Sequence, residues 1–427
     1  MLYTKPVRGM ILIILLPLTL AIVVDFINPG YAQPSVTDTS LNVEAAVEGL
    51  SSPTSMVFLD ENDILVLEKE GNVRLVANGI LQEQPILQVP VNAEGERGLL
   101  GVAISNGSNG SGGSNQSGQT TTNVFLYYTE GDPLRNRIYK YQWNGETLDN
   151  PQLILDLLAG PRTANHNGGK IVIGPDGYLY AVIGDQNHDG QLQNFPDGPP
   201  PDDTGVIFRV NPQNGSQASD NPFTRSSSDG DESVSKYYAY GIRNSFGIDF
   251  DPLTGNLWDT ENGPRSYDEI NLVRPGFNSG WQTVMGPIYL SGHTEDELVN
   301  FPGSHYADPL FSWADSFGIT DIEFSNSSRV GERYTNNIFV GDITRGNLYL
   351  FEVNENRDGI SSGTAQQRQE SGLSDLVVDN EDELSAITFG SGFGGITDIE
   401  TGPDGSLYIL SYDDGIIYEI SSNGASR

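Results

Sequence analysis

The sequence predicts an all-β chain, a six-bladed β-propeller of four-stranded antiparallel blades, and three observations carry that prediction. Composition is the first. A chain of 427 residues with 50 glycines, 24 prolines and 37% hydrophobic residues suits many short strands joined by turns better than long helices. Second, strand-like runs bounded by acidic or glycine turns recur six times, roughly 50–80 residues apart. Third, the hexapeptide Gly318-Ile319-Thr320-Asp321-Ile322-Glu323 returns intact as Gly395-Ile396-Thr397-Asp398-Ile399-Glu400. The spacing exceeds the about 40–45 residues of simple propeller repeats, which implies long loops. A pair of β-sandwich domains is the competing architecture.

The N-terminus reads as a targeting segment. Lys5 and Arg8 precede an apolar run from Met10 to Val24, and Gly30-Tyr31-Ala32 offers a small-residue cleavage site before Gln33. That run is short of the about 20 residues a membrane span takes. Residues 1–32 are therefore a signal peptide or, as the second reading, an N-terminal anchor tethering the chain to a membrane. Residues 33–427 form a single propeller domain, secreted or at the cell surface. With no cysteine, disulfides contribute nothing to it.

The six runs follow in order. Ile64–Glu68 comes after Asp60-Glu61-Asn62, and Val124–Tyr128 is next. Tyr178–Val182 follows Pro175-Asp176-Gly177, and Asn256–Asp259 follows Asp251-Pro252. Asn337–Val340 and Ser406–Leu410, the latter after Pro403-Asp404-Gly405, complete the set. Residues 106–122, almost purely Gly, Ser, Asn, Gln and Thr, are an insertion with too little apolar surface to pack, and 354–383 is a second, polar one. In a propeller the innermost strands line a central channel. Here they begin at Arg97-Gly98-Leu99, His166-Asn167-Gly168, Arg243-Asn244-Ser245, Thr320-Asp321-Ile322 and Thr397-Asp398-Ile399, so residues far apart in sequence meet around one axial pocket.

Asp and Glu number 57 against 22 Lys and Arg, a net charge of −35. Nucleic acid and anionic membrane surfaces need a basic footprint, so neither is an expected partner. The chemistry concentrates in two stretches. One runs from Asn165-His166-Asn167-Gly168-Gly169 to Gly184-Asp185, and the other from Gly241-Ile242-Arg243-Asn244 to Glu261-Asn262-Gly263-Pro264 and Asp268-Glu269-Ile270-Asn271. A histidine, a carboxylate, a guanidinium and a glycine-rich acidic loop are the equipment of proton abstraction beside a hard cation.

Several motifs in order resemble those of the soluble PQQ-dependent glucose/sorbosone (aldose sugar) dehydrogenases, exported quinoproteins with a six-bladed propeller fold. They are Gly95-Glu96-Arg97-Gly98-Leu99-Leu100-Gly101, His166-Asn167-Gly168-Gly169, Gly174-Pro175-Asp176-Gly177 through Gly184-Asp185-Gln186, and Asp220-Asn221-Pro222-Phe223. Gly241-Ile242-Arg243-Asn244, Glu261-Asn262-Gly263-Pro264, Asp268-Glu269-Ile270-Asn271 and Pro275 to Trp281 continue the match, which spans about Ser52 to Ile420. The resemblance implies oxidation of an aldose at its anomeric carbon to a lactone, with hydride passing to PQQ and then to an external electron acceptor. It makes His166 the general base, with Asp185 and Arg243 as the pair that orients and tunes it. An imidazole titrates near pH ~6.5, close to working pH. Glu96 is the implied sugar contact and Asn244 a cofactor contact. The carbonyls of Gly263 and Pro264 are the implied Ca2+ ligands beside PQQ, while Glu269, with the carbonyl of Ser279, holds a second, structural Ca2+.

The chain departs from the family pattern where PQQ carboxylates are usually met by one lysine and two arginines. The lysine position falls on Thr344, beside Arg345, and the arginine positions fall on Gly395 and Thr397. Each lost charge-assisted contact is worth roughly 1.5–3 kcal/mol, so Arg345, Lys170 or Arg162 has to compensate. Asp321 and Asp398 add negative charge if they point inward. Two other functions stay open on the sequence: a calcium-dependent lactonase using Glu96, Asp321 and Asp398, and a non-catalytic propeller that binds glycan or protein.

Overall fold

The computed structural model describes residues 33–107, 121–160, 163–224, 234–361 and 372–423. The expected leader, Arg162 and much of the two expected insertions lie outside these residues. Short β-branched and aromatic runs separated by glycine turns pair into six sheets. Each sheet has one edge strand facing the molecular axis: Pro53–Phe58, Leu99–Gly107, Ile171–Ile173, Ser245–Phe250, Ile319–Phe324 and Ile396–Thr401. These edge strands adjoin one another in sequence order, and the last lies against the first, so they close a ring. The six sequence runs all fall on the second strand of a sheet, as with Asp63–Glu68 and Leu407–Ser411.

The expected regular build of six four-stranded antiparallel blades is corrected. An all-β propeller stands, but its blades are mainly four- to five-stranded, one has six strands, and only two have four. Some pairing is parallel: Tyr237–Tyr240 with Phe277–Asn278, that strand with His305–Tyr306, and Phe311–Trp313 with Val377–Val378. The reason is physical. An outer blade edge presents unpaired N–H and C=O groups, and returning loop segments cover them with strands of two or three residues. Part of 354–383 is used in this way, since Val377–Val378 caps one sheet and a helix follows at Glu381–Ile387, started by Asn380.

The chain's two ends close the ring. Strand Leu41–Glu48 pairs antiparallel with Ile416–Ser422, from Leu41↔Ser422 to Glu48↔Ile416. Val47 and Ile417 then pack with Met56, Val66 and Leu410 across the seam. Adjacent blades are also clasped by side chains of the repeated hexapeptide. Asp321 accepts from the Ile399 amide at 2.9 Å, and Asp398 from the Met56 amide at 2.5 Å. Thr320 donates to the Ile396 carbonyl at 2.7 Å, and Thr397 to the Pro53 carbonyl at 3.0 Å. The repeat is thus a fastener between neighbouring inner strands.

Ile417 is fully buried in this seam. Its replacement by alanine is expected to cost about 2–5 kcal/mol in chemical denaturation, and a cost near zero would show that the seam does not hold the ring.

Candidate active site

An axial cavity of about 530 Å³ opens among the inner strands. His166, Glu96, Arg243, Asn244, Gly263 and Thr397 line it together with Lys69 and Lys170. Thus residues 96 and 397 meet as the ring requires.

His166 is buried and stands at φ 59, a left-handed conformation uncommon for a residue with a Cβ. Its amide donates to Glu96 Oε2 at 2.6 Å, which holds the turn in place. The ring Nδ1 lies 2.5 Å from Asp185 Oδ1. Asp185 is itself buried and accepts from the Trp281 indole at 2.6 Å and from the Asn187 amide at 2.8 Å. Two glycines permit this approach. A Cβ on Gly184 would lie 2.6 Å from the Arg243 carbonyl and 2.7 Å from that of His166, and one on Gly168, at φ +61, would meet the Val182 carbonyl at 2.5 Å. With Nδ1 tied to a carboxylate, Nε2 is the ring nitrogen left for a proton in the cavity.

Arg243 does not pair with Asp185 as the sequence suggested; among the described residues no ion pair joins them. Its guanidinium donates to the carbonyls of Asn262 at 2.7 Å and Gly263 at 3.0 Å and lies over the Trp281 ring, 5.2 Å from its centre. Burial weakens its hold on the proton, opposed by the charges of Asp185, Glu261 and Glu96. Asn244 donates to Glu96 Oε2 at 3.2 Å, leaving its own Oδ1 unpartnered. The turn at Gly263 is shaped by Asp268, which accepts from the amides of Gly263, Phe317 and Gly318 at 3.0, 2.7 and 2.9 Å.

Glu269 and Ser279 do not line the cavity; Glu269 lies on the strand Asp268–Val273, and Ser279 follows the short strand Phe277–Asn278 of a neighbouring sheet. Glu269 faces Glu261 across the strand pair, and Asp259 faces Asn271. Ser279 Oγ donates to Glu261 at 2.6 Å. Burial pushes Glu261 up to about 7 and raises Asp259 and Glu269 well above the carboxylate range. Both Asp259 carboxylate oxygens and the Asn271 amide oxygen find no hydrogen-bond partner. Among the described residues no group of three or more His, Cys, Asp or Glu side chains is arranged to hold a metal ion, so an ion here or at Gly263 would need carbonyl and amide oxygens as well.

The sequence pattern of the glucose/sorbosone dehydrogenases matches residues 50–419. The chain belongs to that family. It is 27% identical over 385 residues to the aldose sugar dehydrogenase YliI of Escherichia coli K12, covering 87% of this chain and 90% of that protein. A solved structure of a putative glucose dehydrogenase from Thermus thermophilus superposes with a TM-score of 0.67 at 27% identity, covering 89% and 99% of the two chains. The PQQ-bound aldose sugar dehydrogenase of Streptomyces coelicolor, 22% identical, shares the fold with a TM-score of 0.64 over 92% and 100%. The chain is thus a member of a sugar dehydrogenase family.

The cationic side of the cavity differs from what the sequence led us to expect. Thr344 and Pro264 are exposed and do not line it. Arg345 lies outside, paired with Glu381 at 3.1 Å and stacked on Phe317. Thr397 lines the cavity with its hydroxyl spent on Pro53. Lys170 is enclosed by Asp398 at 2.5 Å and Asp321 at 2.8 Å, so its positive charge is already answered within the protein. Sequence reasoning missed this triad, and it missed Trp281 and Lys69. Trp281 stood inside a recognised motif, and only its partner, 96 positions away, reveals its task.

Lys170 also borders a second cavity, of about 200 Å³, lined further along the channel by Asp249, Glu323 and Glu400. Burial raises Glu400 to about 8, with Asp398 adding to the shift and Lys170 opposing it, and burial pushes Asp249 up to about 6. The folded protein therefore holds these protons more tightly than the unfolded chain. The stability they contribute is complete at low pH and is lost as pH rises through about 6 and then about 8. Thermal melting is expected to fall over that range. Glu400→Gln, which cannot ionise, is expected to recover about 2–4 °C at the alkaline end, and an unchanged slope would remove Glu400 as a cause.

Proposed function

We propose that the chain is an exported quinoprotein that oxidises the anomeric carbon of an aldose to the lactone, using PQQ and Ca2+ and passing electrons to an external acceptor. Export rests on the leader read in residues 1–32, with 33–427 as the working domain; no helix of the described residues is long and apolar enough to cross a membrane. The observation that carries the reading is the His166–Asp185 contact in the wall of the axial cavity.

The cavity suits a flat, polar, anionic cofactor. Its volume lies in the range of small-molecule sites, and Arg243 Nε, Asn244 Oδ1 and Asn262 Oδ1 are buried without partners around it. Arg243 would hold PQQ through its free Nε, with Asn244 and Thr397 in the wall beside it, whereas Thr344 and Arg345 would not, given where they stand. When bound, PQQ supplies the two-electron acceptor for the hydride leaving the anomeric carbon.

The chain's own residues do the rest. His166 takes the anomeric hydroxyl proton at Nε2, so the C–O bond gains double-bond character as the C–H electron pair departs. Asp185 keeps the proton on Nδ1 and stabilises the imidazolium that forms, and Trp281 fixes Asp185. Glu96 accepts a sugar hydroxyl through the oxygen not engaged by His166 and Asn244. The Gly263 carbonyl, in the cavity wall, would hold the Ca2+ beside the cofactor, with Pro264 next to it outside the wall. Glu269 would hold the structural ion, with the Ser279 carbonyl and the unpartnered oxygens of Asp259 and Asn271.

Reconstituted with PQQ and Ca2+, the protein is expected to reduce an artificial acceptor when given aldoses. His166→Ala is expected to lower kcat by about 10²–10⁴-fold with PQQ affinity retained. Full activity in that variant would end the proposal. Calcium is expected to raise the melting temperature of wild type, by about 2.7 kcal/mol of stability at a hundredfold excess over Kd. Glu269→Gln should lose most of that increment, and an equal increment in both would exclude Glu269 as a ligand.

A further inference from the structure

We infer that Lys69 is the anchor for a carboxylate of the ligand that occupies the axial cavity, an inference that rests on the proposed sugar-oxidising reading. The charged groups lining the cavity are Lys69, Glu96, Lys170 and Arg243, beside His166. Each of these charged groups but Lys69 already has two partners, and Arg243 keeps Nε free besides. Lys170 lies between Asp321 and Asp398, Arg243 donates to two carbonyls, Glu96 receives His166 and Asn244, and His166 bonds Asp185. Lys69 is different. Its Nζ donates to the Ala93 carbonyl at 2.5 Å, and no carboxylate lies within ion-pair reach among the described residues.

The position is built. The Lys69 amide donates to the Ser52 carbonyl and its carbonyl receives the Leu99 amide, both at 3.0 Å. The stem passes over Gly98, where a Cβ would stand 2.8 Å from Lys69 Cγ. Ser52 precedes Pro53, whose carbonyl receives Thr397 Oγ1, so the ammonium belongs to the blade seam that also presents Thr397 and Tyr412 to the cavity. A half-buried ammonium with one neutral partner in a concave wall keeps two donors for an anion, and a carboxylate supplies both the charge and the acceptors. Two sources carry that group: the carboxylates of PQQ, or the carboxylate of an acidic sugar.

The test is binding by calorimetric titration of the full-length protein with Ca2+, using wild type, Lys69→Met and Lys69→Arg, each first shown to melt like wild type without ligand. PQQ is the first probe; galacturonate against galactose is the second. A loss of about ten- to a hundredfold in PQQ affinity in Lys69→Met, restored by Lys69→Arg, supports the anchor with the cofactor as source. Unchanged PQQ affinity with a lost preference for galacturonate over galactose supports it with the sugar as source. If all three proteins treat both probes alike, the inference is overturned. Should wild type bind no PQQ, the cofactor reading fails on its own and the galacturonate comparison alone decides Lys69: no preference in wild type, or one kept in Lys69→Met, overturns it.

Discussion

Every functional group in this molecule is placed by one pairing, the antiparallel ladder between Leu41–Glu48 and Ile416–Ser422. Inner strands belong to different sheets, and sheets from a single chain have no reason to converge unless the ring is shut. Once it is shut, the clasps follow: Asp321 onto the next inner strand, Asp398 onto the first, and Thr320 and Thr397 onto neighbouring carbonyls. These bonds bury carboxylates that would be costly alone, so closure and clasp support each other. The cavity is what remains at the axis.

The same logic governs the histidine. A left-handed residue carrying an imidazole is not a comfortable local choice. It persists because Glu96 grips its amide, Asp185 its ring, and Gly168 and Gly184 leave room for backbone that a side chain would push apart. Such a ring loses little entropy on meeting a substrate, since its orientation is set by residues from two neighbouring blades. Trp281 completes the set by serving two neighbours: its N–H fixes Asp185 and its face receives Arg243. The guanidinium therefore acts on the carboxylate through the indole and through space, without a direct ion pair.

How legible this was depended on whether a signal was local. Second strands of the sheets announce themselves as runs of apolar and β-branched residues ended by glycine turns, and the starts of the inner strands lie just upstream of those runs. Blade edges were illegible, because strands such as Ser35–Val36 and Phe277–Asn278 are too short to show any period. His166 and Asp185 were readable from motif context. The charge around the cofactor position was not. Asp321 and Asp398 looked like a surplus of negative charge until Lys170 was found between them, and Arg345 looked available until Glu381 was found beside it. Lys69 carries no motif at all, and only the shape of the cavity singles it out.

Lys170 and its two aspartates do more than balance charge, because they stand where the upper and lower cavities meet. Lys170 thus borders both cavities, and its ion pairs with Asp321 and Asp398 hold it there.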